Sequence, residues 1–153
     1  MTDTSKRNFL VDTNLLVYLI DEKSEFYLSV FKFFEWVEKS NNTLVVAHQN
    51  ILELMNTLIV DYKLELKEAS DKANKLLAGR EFRIIFPLPS TLDKFFSFLK
   101  KPGKRTFDLY LAATAIDNGI DTIATNNKDD FLGVKEFKVL DLEDLKKVMD
   151  EDN

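Results

Sequence analysis

Four carboxylates sit beside apolar stretches in this chain: Asp12 in FLVDTNLLVYLI, Glu53 in NILELMNTLI, Asp108 in TFDLYLAATAI and Asp130 in IATNNKDDF. Acids held away from water are costly unless positive charge or hydrogen bonds compensate them. If a fold gathers these four, a divalent cation held through oxygen is the expected compensation. An all-oxygen set suits Mg2+ or Mn2+, hard cations that keep several waters. Such an ion polarises a phosphate oxygen and lowers the pKa of a bound water, so no nucleophilic side chain is required. The chain has no cysteine, which excludes disulfides and thiolate metal sites. Its one histidine, His48, reads as a helix-start or packing residue rather than a general base.

Each acid also has an ordinary role when taken singly. Asp12 at a strand end can cap the helix that follows. Asp108 in a first helical turn helps the helix dipole by a few tenths of a kcal/mol, up to about 1. Glu53 lies on a polar stripe with Asn50, Asn56 and Thr57, opposite an apolar face of Ile51, Leu52, Leu54, Met55, Leu58 and Ile59; the stripe faces either water or the other acids. Asp129 and Asp130 make a charged turn. The basic run Lys100, Lys101, Lys104 and Arg105, just before Asp108, is either a clamp for substrate phosphates or a solubilising loop. Both readings stay open.

The elements that must position these side chains alternate between strand and helix. Residues 8–11 read as a short buried strand with Asp12 at its carboxyl end, and an Asp or Thr cap favours helix over strand for residues 15–20. Phe26, Val30, Phe33, Phe34 and Val37 recur at helical spacing within residues 25–39. Strands are expected at 44–47, 83–86, 121–125 and 137–140. Further helices are expected at 49–62, at 66–78 with Gly79 as its C′ stop, at 91–99, from a Thr106 cap to Asn118 with Gly119 ending it, and at 142–149. This order predicts an α/β domain: three layers, α/β/α, around a central, mostly parallel, twisted sheet of about five strands. In such a sheet ligands bind beyond the carboxyl ends of the strands, where Asp12 and Asp130 fall and where the first turn of the Asp108 helix can reach.

With 153 residues the chain makes one domain, read as a polar tail at 1–7, a body at 8–149 and a frayed acidic end at 150–153. The net charge of −5 argues against nucleic-acid binding by bulk charge alone, yet acidic metal ligands would themselves lower that total. No run approaches the roughly 18 apolar residues of a membrane span. The N-terminus MTDTSKRNF lacks the apolar core of a secretory signal. A cytoplasmic protein without membrane contact is expected.

Four segments in order, Leu10-Val11-Asp12-Thr13-Asn14, Leu52-Glu53-Leu54, the D-x-x-L-A-A-x-A run from Asp108 to Ala115 and the T-x-N-x-x-D-F run from Thr125 to Phe131, resemble the PIN-domain family of metal-dependent ribonucleases. The likeness covers about residues 8–140. It implies Asp12, Glu53 and Asp108 as the acidic triad, with Asp130 or Asn127 at the fourth place. Thr13, Asn14, Thr125 and Asn127 would orient ligands or substrate. It also implies Mg2+ (or Mn2+) as cofactor, RNA as substrate, and products with 5′-phosphate and 3′-hydroxyl ends. A free-standing chain of this size resembles the VapC-type toxins of type II toxin–antitoxin pairs, which implies a small antitoxin partner and a homodimer. The competing readings are an RNA-processing nuclease of the same family, an aspartate-nucleophile phosphatase, a phosphoryl-accepting receiver and a catalytically silent binding module. The phosphatase would need a second Asp where Asn14 stands. The receiver would need an acceptor Asp near Pro87-Leu88-Pro89.

Overall fold

The computed structural model describes residues 6–99 and 106–152. Among these the strands are β1 (Asn8–Val11), β2 (Thr43–Ala47), β3 (Phe82–Ile85), β4 (Thr122–Ala124) and β5 (Lys138–Leu140). The helices are α1 (Thr13–Ile20), α2 (Tyr27–Lys39), α3 (His48–Val60), α4 (Leu66–Ala78), α5 (Thr91–Phe98), α6 (Thr106–Asp117) and α7 (Leu142–Glu151). A 3-10 turn spans Lys128–Phe131.

All strand pairings are parallel, in the order β3-β2-β1-β4-β5. The chain moves outward from β1 through β2 to β3, then crosses back to lay β4 on the other side of β1. The switch point therefore lies between β1 and β4, paired Leu10 to Ile123 and Val11 to Ala124. Helices cover both faces, which is why the central strands read as nearly unbroken apolar runs. Alternation along β1 sends Phe9 and Val11 into one core, with α1, α2, α3, α4 and α7, and Leu10 into the other, with α5 and α6. In the first core the ring of Phe9 meets Phe33 edge-on at 5.5 Å, both fully buried. Burying side chains of this size stabilises by about 1.5–3 kcal/mol each. In the second, Ala112, Ala113 and Ala115 are buried and let α6 lie close to the sheet.

The three-layer parallel α/β fold is the one expected, with shifts at element ends. Strand β3 begins and ends one residue early, which leaves Phe86 outside the ladder and half exposed. The last helix runs on to Glu151, two residues past the expected Met149; Asp141 caps it by accepting from the Asp144 N–H at 2.9 Å. Gly79 closes α4 at φ −80°, an ordinary right-handed conformation, so the expected left-handed C′ role is absent there. Gly119 does adopt it, at φ +78°, ending α6. Thr106 is already within the first turn of α6 rather than its cap.

Candidate active site

Asp12 is the first residue beyond β1, and its N–H continues the ladder to the Ala124 carbonyl at 3.0 Å. Its carboxylate caps α1 by accepting from the Thr13 N–H at 2.8 Å. The other oxygen accepts from the Thr125 hydroxyl, also at 2.8 Å, across the switch point from the end of β4. The capping role and a role in a site are therefore compatible in one side chain. Asp12 is buried, and burial is the main force pushing its pKa up from 3.8 to about 6. The negative charges of Glu53 and Asp130 push the same way, against the two hydrogen bonds.

A short relay holds Glu53. The Thr13 hydroxyl donates to Glu53 Oε2 at 3.0 Å and accepts from Asn50 Nδ2 at 3.1 Å. Asn50 Oδ1 in turn accepts from the Ala47 N–H at 3.0 Å, closing the start of α3. Asn50 is completely buried while Leu52 is 60% exposed, so of the two readings left open for the polar stripe it is the one facing inward that holds at Asn50. The reason is that α3 turns its polar stripe toward the strand ends. There Asn50 finds partners, and Leu52 is left at the rim. The cue was present in the sequence: an amide three residues after a strand end can reach back to the first N–H, as a capping residue does.

Thr125 is a second hub. Besides donating to Asp12, its hydroxyl accepts from the Asn127 N–H at 3.0 Å and from Asn14 Nδ2 at 3.4 Å. Asn14 also accepts from the Asn126 N–H at 3.4 Å. These bonds seat the loop after β4. The buried ring of Phe131 and the Lys128–Asp144 ion pair at 2.8 Å hold its far end.

A cavity of about 770 Å³ opens over these groups, and Asp12, Glu53, Asp108 and Asp130 all line it together with Thr13 and Asn14. Asp108 reaches it from the first turn of α6 and Asp130 from the 3-10 turn. Asn127 does not line this cavity; its side chain is exposed, and it serves Thr125 through its backbone. The walls include Val17, Tyr18, Gln49, Tyr62 and Phe107, none of which the sequence pattern singled out. Phe107, beside Asp108, is 72% exposed. His48 stands outside, at the start of α3 with its ring 5.1 Å from that of Phe86. Lys100, Lys101, Lys104 and Arg105 lie outside the described residues.

The donor chemistry fits a hard divalent cation: carboxylates from four elements, hydroxyl and amide groups behind them, and an Asp12 whose charge is destabilised where it stands. Among the described residues, no group of three or more His, Asp or Glu side chains forms a ready-made ion site. Mg2+ keeps several waters and needs only one or two carboxylates as direct protein ligands. Such a donor set at an open cavity suits a hydrated, oxygen-ligated ion.

The PIN domain profile matches residues 9–136, most of the chain. The chain belongs to the PIN domain family. No curated protein sequence matches it significantly. Among solved structures, this PIN domain is similar to VapBC2 from Rickettsia felis bound to a promoter DNA fragment, with a TM-score of 0.70 at 20% identity over 88% of this chain and 98% of that one. It is similar to DNA-bound VapBC from Salmonella typhimurium, with a TM-score of 0.69 at 15% identity over 89% and 98%. VapC20 of Mycobacterium tuberculosis, a toxin that cleaves the sarcin-ricin loop, gives 0.61 at 12% identity over 82% and 95%. At these identities the likeness is one of fold. Membership of the PIN family sets aside the phosphatase and receiver readings. Asn14, where the phosphatase needs an acid, spends its side chain on Thr125 and the Asn126 N–H.

Proposed function

We propose that this PIN domain is an Mg2+- or Mn2+-dependent endoribonuclease and the toxin of a type II toxin–antitoxin pair. The carrying observation is the cavity itself: carboxylates from four separate elements line it, and its deepest acid, Asp12, has a pKa raised by burial and neighbouring negative charge. Asp12, Glu53, Asp108 and Asp130 would hold the ion. When bound, it would activate a water and stabilise the leaving 3′-oxygen of an RNA phosphodiester. Thr125 and Thr13 orient Asp12 and Glu53 by hydroxyl donation, and Asn14 steadies Thr125. Tyr62, Leu52 and Phe107 give the rim an apolar surface against which unpaired bases can stack. In this reading Lys100, Lys101, Lys104 and Arg105 contact RNA phosphates. Neutralising Lys104 and Arg105 together lowers RNA affinity and its salt dependence; no change in either rules that contact out.

The deciding experiment compares wild type with Asp12→Asn on single-stranded and structured RNA, in Mg2+, Mn2+ or EDTA. Cleavage in metal that falls to the EDTA level in the variant is expected. Metal-independent cleavage, or full activity of Asp12→Asn, would sink the reading. The toxin assignment is supported by the fold likeness to VapBC proteins. It predicts a short neighbouring gene for a DNA-binding antitoxin whose product forms a complex with this chain and suppresses cleavage. The same reading has the domain pair with a second copy, act in the cytoplasm and form one unit over residues 8–149.

A further inference from the structure

Gln49 lies one helical turn before Glu53 on α3, so the two side chains share a face. Its Nε2 donates to Glu53 Oε1 at 2.6 Å and to the backbone carbonyl of Phe107 at 2.8 Å. Two acceptors on one side dictate which way the amide faces, because the oxygen there would meet only other oxygens. Gln49 Oε1 is consequently buried with no hydrogen-bond partner among the described residues. Buried polar atoms are paired as a rule, so an orphaned acceptor calls for a reason. The reason is in what the other end holds. One donor grips a carboxylate, and the other grips the carbonyl one residue ahead of Asp108, in a helix 58 positions away in sequence.

Glu53 is thereby fixed from both sides, with Thr13 on Oε2 and Gln49 on Oε1. With Thr13 alone, the carboxylate could turn about its terminal torsion, which is broad for Glu. We propose that Gln49 is a positioning residue for this site: it sets the orientation of the Glu53 carboxylate and registers the first turn of α6, hence Asp108, against α3. This rests on the metal-dependent reading above.

The test titrates Mn2+ into the metal-stripped full-length protein without RNA, following free Mn2+ by electron paramagnetic resonance, for wild type, Asp12→Asn and Gln49→Met. Methionine keeps the length of the side chain, removes both donors and also removes the orphaned acceptor. A merely structural Gln49 and a positioning one therefore separate. Expected for Gln49→Met is Mn2+ affinity weakened by about tenfold, a lower kcat with KM for RNA nearly unchanged, and a melting temperature in EDTA equal to or above wild type. Wild-type Mn2+ affinity and kcat in Gln49→Met, with both lost in Asp12→Asn, overturns the role of Gln49 alone. Weakened binding matched by a lower melting temperature in EDTA marks a packing role and overturns it too. No Mn2+ binding by wild type removes this inference together with the reading beneath it. Should Gln49→Met not fold, Gln49→Asn takes its place, one methylene too short to span both acceptors, with the same expectations for Mn2+ and kcat.

Discussion

Asp12 joins β1, α1 and the loop after β4 through two hydrogen bonds, while burial and the charges of Glu53 and Asp130 make its ionised form unfavourable. Its folded pKa of about 6 stands above the unfolded value of 3.8, so between these the native state binds more protons. The contribution of Asp12 to stability is full below pH 4 and is lost as pH rises through 6, a span on the order of 3 kcal/mol. In EDTA, the melting temperature of Asp12→Asn relative to wild type should therefore climb between pH 4 and 6 and level off above 7. A flat difference across that range would mean that Asp12 is not held at a raised pKa. Phe107 belongs to the same scale. Base stacking is worth about 1–3 kcal/mol per base, so Phe107→Ala should raise KM for unpaired RNA by roughly tenfold and leave Mn2+ affinity alone. Equal loss on paired and unpaired substrates would remove the stacking role.

Elements here do their work at their ends. Helix α1 starts on Asp12, α3 starts on Asn50 bonded back to Ala47, α6 opens with Asp108 in its first turn, and β4 ends beneath Thr125. Most of these elements were legible because their cause is local: helical spacing of phenylalanines in α2, β-branched runs in β2, a glycine after α6. What local pattern left open was the facing of α3. A helix that turns a polar stripe toward its own domain shows the same periodicity as one that faces water. Asn50→Ala would orphan the Ala47 N–H and release Thr13, so a loss of about 1–3 kcal/mol is expected in urea unfolding, with weaker metal binding as well. At Gly119 an added Cβ meets nothing within 4 Å, yet φ is +78°. Gly119→Ala should cost about 1 kcal/mol through backbone conformation alone. Loss of several kcal/mol would point to a steric cause that the backbone argument does not contain.

For the whole molecule, sheet order is the decisive property. Placing β4 beside β1 puts the switch point where Asp12 and Thr125 meet, and the carboxyl edge of one parallel sheet then collects all four acids around one cavity. An ion bound only by the folded state stabilises it by about 2.7 kcal/mol at a hundred times its Kd. Mn2+ should thus raise the melting temperature of wild type and not of Asp12→Asn. On the outer surface, α5 and its C-cap leave Leu92, Phe96 and Leu99 exposed at helical spacing. If the second copy docks there, Phe96→Glu shifts the mass in sedimentation from dimer to monomer while RNA cleavage in excess Mn2+ persists. A monomeric wild type would withdraw the dimer.

Sequence by itself determined the types of the reactive groups and their places at strand ends and first helical turns, because residue chemistry and local periodicity fix both. It also carried the ordered motifs of the PIN family. Tertiary structure decided which groups meet: Thr125 with Asp12 across 113 positions, Glu53 with Thr13 across 40, Gln49 with the start of α6 across 58. It also placed Asp130 on the cavity wall and left Asn127 outside it. Those contacts follow from the order of strands and the rotation of helices about their axes, set by packing of the whole core, which no short stretch of chain encodes.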